Sequence, residues 1–122
     1  MLSKDSDYKV ALVGIKQFAD RAGVPIDPKI APLVTALRMC GVRTTQSCQG
    51  HSRRGVPYPW VDFDLRDAEL AAGVVCAANQ GKNIWVLEPR PSALRLVPWD
   101  KRQGLRLLQR QALRLAERIK NL

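Results

Sequence analysis

The sequence predicts an α+β domain: a mixed sheet of about four strands covered by helices, in the order ααββαββα. Three observations carry this prediction. Apolar residues recur every three or four positions in segments at both ends of the chain, apolar and acidic residues alternate from Val61 to Leu65, and two short aliphatic runs flank a turn containing Pro89 and Pro91. Helical and extended segments mixed in this order suit a layered α+β arrangement, in which the apolar helix stripes bury one face of the sheet.

A length of 122 residues suits a single domain, because half of it would be too small to bury a core without disulfides or metals. Hydrophobic residues at 46% and charged residues at 25% are the proportions of a folded chain and exclude a disordered one. No apolar run approaches the roughly 20 residues needed to cross a bilayer, and residues 1–9 are too polar for a secretory signal. A cytoplasmic protein with no membrane partner is expected. Cys40, Cys48 and Cys76 are odd in number and widely spaced, which argues for reduced thiols over a disulfide framework.

Taken in order, residues 1–7 are polar and expected to fray. Leu12, Ile15, Ala19 and Ala22 recur at helical spacing as far as Gly23, predicting a first helix over residues 8–22. Beyond Pro25, Asp27 followed by Pro28 reads as an N-cap with proline in the first turn. This second helix would bury Ile30, Val34 and Leu37 and end at Gly41. Residues 42–48, with Val42, Thr44 and Thr45, predict a short strand. Two Gly, two Pro and two Arg with little that is apolar make residues 49–59 an exposed loop, from which Trp60 returns the chain to the core.

Val61, Phe63 and Leu65 alternate with Asp62 and Asp64, the period of a strand with one buried and one wet face. Asp67 is placed to cap a third helix through Leu70, Val74 and Ala77, closed by Asn79 and Gly81. Residues 84–87 and 94–97 then predict a hairpin. Asp100 would start the last helix, whose stripe of Leu105, Leu108, Ala112, Leu115, Ile119 and Leu122 needs the sheet or a second copy of the chain as partner.

The polar string Thr44, Thr45, Gln46, Ser47, Cys48, Gln49, Gly50, His51 contains the only histidine and sits where a strand runs into a loop. Gly50 permits a positive φ or close approach of a ligand, and the hydroxyls of Thr44, Thr45 and Ser47 with free turn amides could cradle an anion. Arg53 and Arg54 follow within reach. Tyr58 and Trp60 add aromatic faces of the kind on which bases stack. Thr44, Thr45, Ser47, Cys48, Gly50, His51, Arg53, Arg54, Tyr58 and Trp60 are therefore the candidate ligand-binding residues.

Over about residues 26–66 the chain resembles the tRNA wybutosine-synthesising methyltransferases. Asp27, Ile30, Leu33 and Val34, followed by Thr44, Thr45, Ser47, Cys48 and Gly50, stand in the order of that family's acidic residue, Ile-x-x-Leu-Val helix and Thr-Thr-Ser-Ser-Cys-Ser-Gly-Arg string. Gln46 and Gln49 replace serines, and His51 replaces the arginine. The resemblance implies S-adenosylmethionine as cofactor and RNA as substrate. The form Thr-x-Ser-Cys-x-Gly-His also resembles a motif of small bacterial and phage proteins.

Other chemistry fits the same residues. Cys48 and His51 have the spacing of two zinc ligands, but a closed site needs four. Only Cys40 and Cys76 could complete it, and both fall on expected apolar helix faces, so no metal site is assigned. Cys48 could be a nucleophile with His51 as base, for which Asp62 or Asp64 would have to supply the orienting group at a shared concave site. His51 could instead be a structural residue that ties down its loop, but the hydroxyls, thiol and two arginines gathered around it favour a functional role.

Arg102, Arg106, Arg110, Arg114 and Arg118 follow one another in four-residue steps, predicting a basic ribbon with a drift of about 40° per step along the last helix. Residues 101–122 hold seven basic residues against one acid, Glu117, so six of the nine net positive charges lie there. A solvated face would mix Glu among its Arg, whereas a like-charged row suits phosphate. The leading expectation is an RNA- or nucleotide-binding domain with its ligand loop at residues 44–60 and the five arginines on backbone phosphates. A methyltransferase and an oligomer that sequesters a small phosphorylated ligand are the alternatives, the latter as a homodimer through the C-terminal helix.

Overall fold

A computed structural model describes residues 4–15, 25–82 and 84–122. Four helices, α1 (Lys4–Ile15), α2 (Ala31–Met39), α3 (Ala68–Asn79) and α4 (Leu105–Lys120), accompany four strands, β1 (Thr44–Cys48), β2 (Trp60–Phe63), β3 (Trp85–Arg90) and β4 (Ala93–Pro98). The class is α+β, and the predicted order of elements holds apart from a 3-10 turn at Leu65–Asp67 before α3. The sheet is antiparallel throughout, in the order β1-β2-β4-β3, and so is not the mixed sheet expected. Its edges are β1 and β3, and Pro89, which has no N–H for a ladder, falls on the edge strand β3.

One face of the sheet carries Val61, Phe63, Leu96 and Trp85 into a core shared with Ile30, Leu33, Val34 and Leu37 of the α2 region and Ala112, Leu115 and Ile119 of α4. The stripe on α4 is thus satisfied within the chain, largely by α2, and it does not call for a second copy. Leu122, expected on that stripe, is exposed. Among the described residues no helix is long and apolar enough to cross a membrane.

Helix α1 begins four residues earlier than expected, so residues 4–7 are helical and not frayed; the expected stretch 16–22 and its stop at Gly23 lie outside the described residues. Tyr8 is the buried anchor of α1, its hydroxyl donating to the carbonyl of Pro32 at 3.4 Å. Gly41 ends α2 as its φ of +91° allows, with the N–H of Val42 reaching back to the Leu37 carbonyl at 3.1 Å.

Both expected aspartate caps are corrected. The Asp27 carbonyl accepts from Ile30 and Ala31, but its carboxylate leaves the helix and accepts the backbone N–H of Gln49 at 3.1 Å. Asp67 makes no side-chain cap on α3; Arg43 takes its carboxylate through the backbone N–H at 2.8 Å and two guanidinium bonds at 2.9 Å. Asp64 caps the 3-10 turn instead, accepting from the N–H of Arg66 at 2.9 Å.

At the far end of α3, Asn79 donates to the Trp85 carbonyl at 2.9 Å and accepts its N–H at 3.2 Å, stapling the helix to β3. Asp100 does not open α4. It forms a local turn by accepting the N–H of Arg102 at 3.0 Å, and the helix starts at Leu105. Cys76 is exposed, against the expectation of an apolar face, while Cys40 packs at the core margin.

Candidate functional site

Strand β1 alternates its side chains, and that alternation separates the residues the motif groups in sequence. Cys48 pairs with Trp60 and Ser47 with Val61, so Ser47 lies on the helix-facing side and Cys48 on the opposite one. A register irregularity between Thr44 and Gln46 leaves Thr45 buried. Thr44 sits at the other end of β1, about 13 Å away at strand rise, where its hydroxyl accepts from Arg38 Nε at 2.6 Å. The expected cradle of three hydroxyls is therefore not formed.

What does form lies one residue further on. After Cys48 the chain turns at Gly50, whose φ is +92°. A Cβ there would come within 2.5 Å of Leu105 Cδ1 and 3.0 Å of the Tyr58 carbonyl carbon, so a side chain at this positive φ would have to push the Leu105 tip aside and crowd the Tyr58 backbone. The backbone N–H of His51 closes the loop on the carbonyl of Val56 at 2.9 Å.

Gln49 locks the loop to both helices. Its N–H goes to Asp27, its side-chain oxygen accepts the N–H of Lys29 at 3.0 Å, and its carbonyl accepts from Gln109 Nε2 at 3.0 Å. The Lys29 ammonium reaches Gln109 Oε1 at 3.4 Å. These bonds brace a turn that was expected to be free to cradle a ligand.

Two results follow from this bracing. First, one side-chain donor atom each from Asp27, Cys48 and His51 comes within 4.8 Å of the other two. Cys48 is buried, Asp27 half-buried and His51 exposed. The Cys48 sulfur accepts the Gly50 N–H at 3.3 Å. Burial pushes the Cys48 thiol above its ordinary value, the Gly50 N–H opposes this, Asp27 adds to it, and Arg95 opposes it again.

Second, a groove opens between the loop and α4. One half, about 660 Å³, is lined by Gln49, Gly50, His51 and Ser52 with Leu105 and Arg106; the other, about 670 Å³, runs along Pro28, Pro32, Arg110 and Leu113. Lys29, Arg106 and Gln109 line both halves. Among the described residues no carboxylate pairs with Lys29, Arg106 or Arg110.

The other expected participants lie elsewhere. Asp62 is buried, not wet, because cross-strand Arg95 holds it through bonds of 2.6 and 3.0 Å, and Asp64 is held by Arg66 at 2.9 Å. Neither joins Cys48 and His51; Asp27 takes that place. The Arg95 guanidinium lies 3.8 Å from the centroid of the Trp60 ring and covers it, and Lys101 stands 5.4 Å over Tyr58, so both aromatic faces already carry a cation. Arg53 and Arg54 are exposed in the loop.

The arginine row is also split. Arg102 precedes the helix, beside Asp100. From Arg106 to Arg118 the drift reaches about 120°, so Arg106 and Arg110 face the groove while Arg114 and Arg118 flank Ile84 and Trp85.

Lys29, Gln109 and Asp27 are the residues that reading the motif missed. Lys29 carried a faint signal, as a lone cation beside two prolines; Asp27 was masked by its resemblance to a helix cap. No family model, curated protein or solved structure matches the chain.

Proposed function

We propose that this chain is a binding domain for RNA or a nucleotide, with phosphate held in the groove between the His51 loop and α4. The observation that carries the reading is the convergence of Lys29, Arg106 and Arg110 on one groove, with no carboxylate among the described residues paired to them. Like charges at one turn's spacing repel by a few tenths of a kcal/mol, and an anion lying across them removes that cost. The planar guanidinium forks suit phosphate oxygens, and the neutral Gln109 and Ser52 beside them offer further hydrogen bonds.

The test is anisotropy of a labelled single-stranded RNA as salt is varied. Each phosphate contact in a single strand contributes about −0.7 to the slope of log K against log salt, so Arg106→Gln with Arg110→Gln should flatten the slope by about 1.4. Arg114→Gln with Arg118→Gln, outside the groove, should change it less. Competition by a nucleoside monophosphate separates a single-nucleotide site from a strand-binding one. An unchanged slope in the groove variant rejects the proposal.

A further inference from the structure

We propose that Asp27, Cys48 and His51 form a zinc site with three protein ligands and a fourth, exchangeable position open toward the groove. The cluster brings a thiol, an imidazole and a carboxylate from three separate places in the chain, the turn before α2, the end of β1 and the loop, to within 4.8 Å of one another. This is the donor mixture that zinc accepts, and sulfur in the set disfavours magnesium and calcium.

The spacing fits with a small closure. Bonds of about 2.0–2.3 Å at tetrahedral angles put ligand atoms roughly 3.3–3.7 Å apart, so no separation has to shrink by more than about 1 Å. His51 is the exposed member of the three, so its ring is the one with room to turn toward the other two ligands, while its backbone stays tied to Val56.

The surroundings of the other two ligands are those of a held site. The Gly50 N–H points at the Cys48 sulfur and the Gln49 N–H at the Asp27 carboxylate, so each ligand keeps a backbone donor that orients it and offsets negative charge. Buried Cys48 and half-buried Asp27 form the back of the site. His51 lines the same groove as Lys29 and Arg106, and the remaining coordination position is assigned to that side. Three protein ligands with one open position is the pattern of a zinc that holds water or an anion. Neither Cys40 nor Cys76 takes part, which answers the lack of a fourth cysteine or histidine in the motif. The inference stands apart from the RNA reading, since a zinc ion could sit here whatever the groove binds.

The experiment is titration of metal-free protein with cobalt(II), followed by displacement with zinc under a competing chelator. One equivalent of cobalt should give a thiolate-to-cobalt charge-transfer band together with the intense visible absorption of a tetrahedral centre. Inorganic phosphate should perturb those visible bands through the open position.

Cys48→Ala should abolish the charge-transfer band, and His51→Ala and Asp27→Asn should each weaken zinc by about 100-fold or more. Asp27→Asn keeps an acceptor for the Gln49 N–H and His51→Ala alters an exposed side chain, so both variants should remain folded by circular dichroism. Cys40→Ala and Cys76→Ala should bind as the parent does. The site is overturned if no charge-transfer band forms, if the band survives in Cys48→Ala, or if affinity is unchanged in folded His51→Ala and Asp27→Asn. Visible bands indifferent to phosphate overturn the open position.

Discussion

The carboxylate of Asp27 accepts the backbone N–H of Gln49 at 3.1 Å, joining the turn before α2 to the residue that follows β1 across 22 positions of sequence. With the bonds from Lys29 and Gln109 to the same residue, it holds the loop that carries His51 against the helix layer. Replacing Asp27 by Ala strands the Gln49 N–H in a half-buried place, which should cost about 1–3 kcal/mol in urea unfolding. Asp27→Asn retains an acceptor and should cost less. Equal loss in the two variants would show that the charge, and not the hydrogen bond, holds the loop.

Gly50 and Gly81 both have positive φ, +92° and +80°, but only Gly50 is enclosed. Gly81→Ala has nothing within 4 Å of the new Cβ and should show only the left-handed backbone cost of about 1 kcal/mol. Gly50→Ala adds a clash with Leu105 and the Tyr58 backbone, so it should lose about 2 kcal/mol or more and should weaken RNA binding through displacement of α4's first turn. Matching melting temperatures for the two variants would count against the tight fit.

Arg43 holds the Asp67 carboxyl below the usual range, first through its guanidinium bonds and next through its backbone N–H. A depressed folded-state pKa means that the stability it contributes is present above the unfolded value of about 3.9 and is lost as pH falls through the folded one. The urea midpoint should therefore fall below about pH 4, and Asp67→Asn should start from a lower midpoint and lose less over the same descent. Parallel acid limbs for the two proteins would assign the pH dependence to other carboxylates.

The local patterns were legible: apolar spacing marks α2 and α4, alternation marks β2, and Gly41 marks the end of α2, whereas on α3 the buried residues are Ala71, Val75 and Ala78 and the expected Leu70 and Ala77 are exposed. What could not be read were partners set by the tertiary fold. Asp62 alternates like a wet residue, and it is buried because Arg95, 33 positions away, lies directly across the ladder. Asp27 and Asp67 have cap-like sequence neighbours, but backbone and arginine donors from 22 and 24 positions away take their carboxylates. The hydroxyls of the motif separate for a simpler reason. A two-residue strand period puts Ser47 and Cys48 on opposite faces, so closeness in sequence becomes distance in the fold. The groove residues Lys29, Arg106 and Arg110 come from two segments whose packing only the core decides.

A cysteine beside a histidine and an aspartate invites comparison with a catalytic triad, and thiol reactivity tells the two arrangements apart. In such a triad the base is hydrogen-bonded to the nucleophile and to its orienting acid. Among the described hydrogen bonds, Cys48 is joined to the Gly50 N–H and Asp27 to the Gln49 N–H, and none links the His51 ring to either. Cys48 is also buried, whereas Cys76 is exposed on α3. Iodoacetamide at neutral pH should therefore label Cys76 rapidly and Cys48 slowly, with Cys48 reacting fully only when urea unfolds the chain. One equivalent of zinc should slow Cys48 further and leave Cys76 unaffected. Mass spectrometry of tryptic peptides resolves the two sites. Labelling of Cys48 faster than Cys76 in the folded, metal-free protein, lost in His51→Ala, would make the thiol an activated nucleophile and His51 its base.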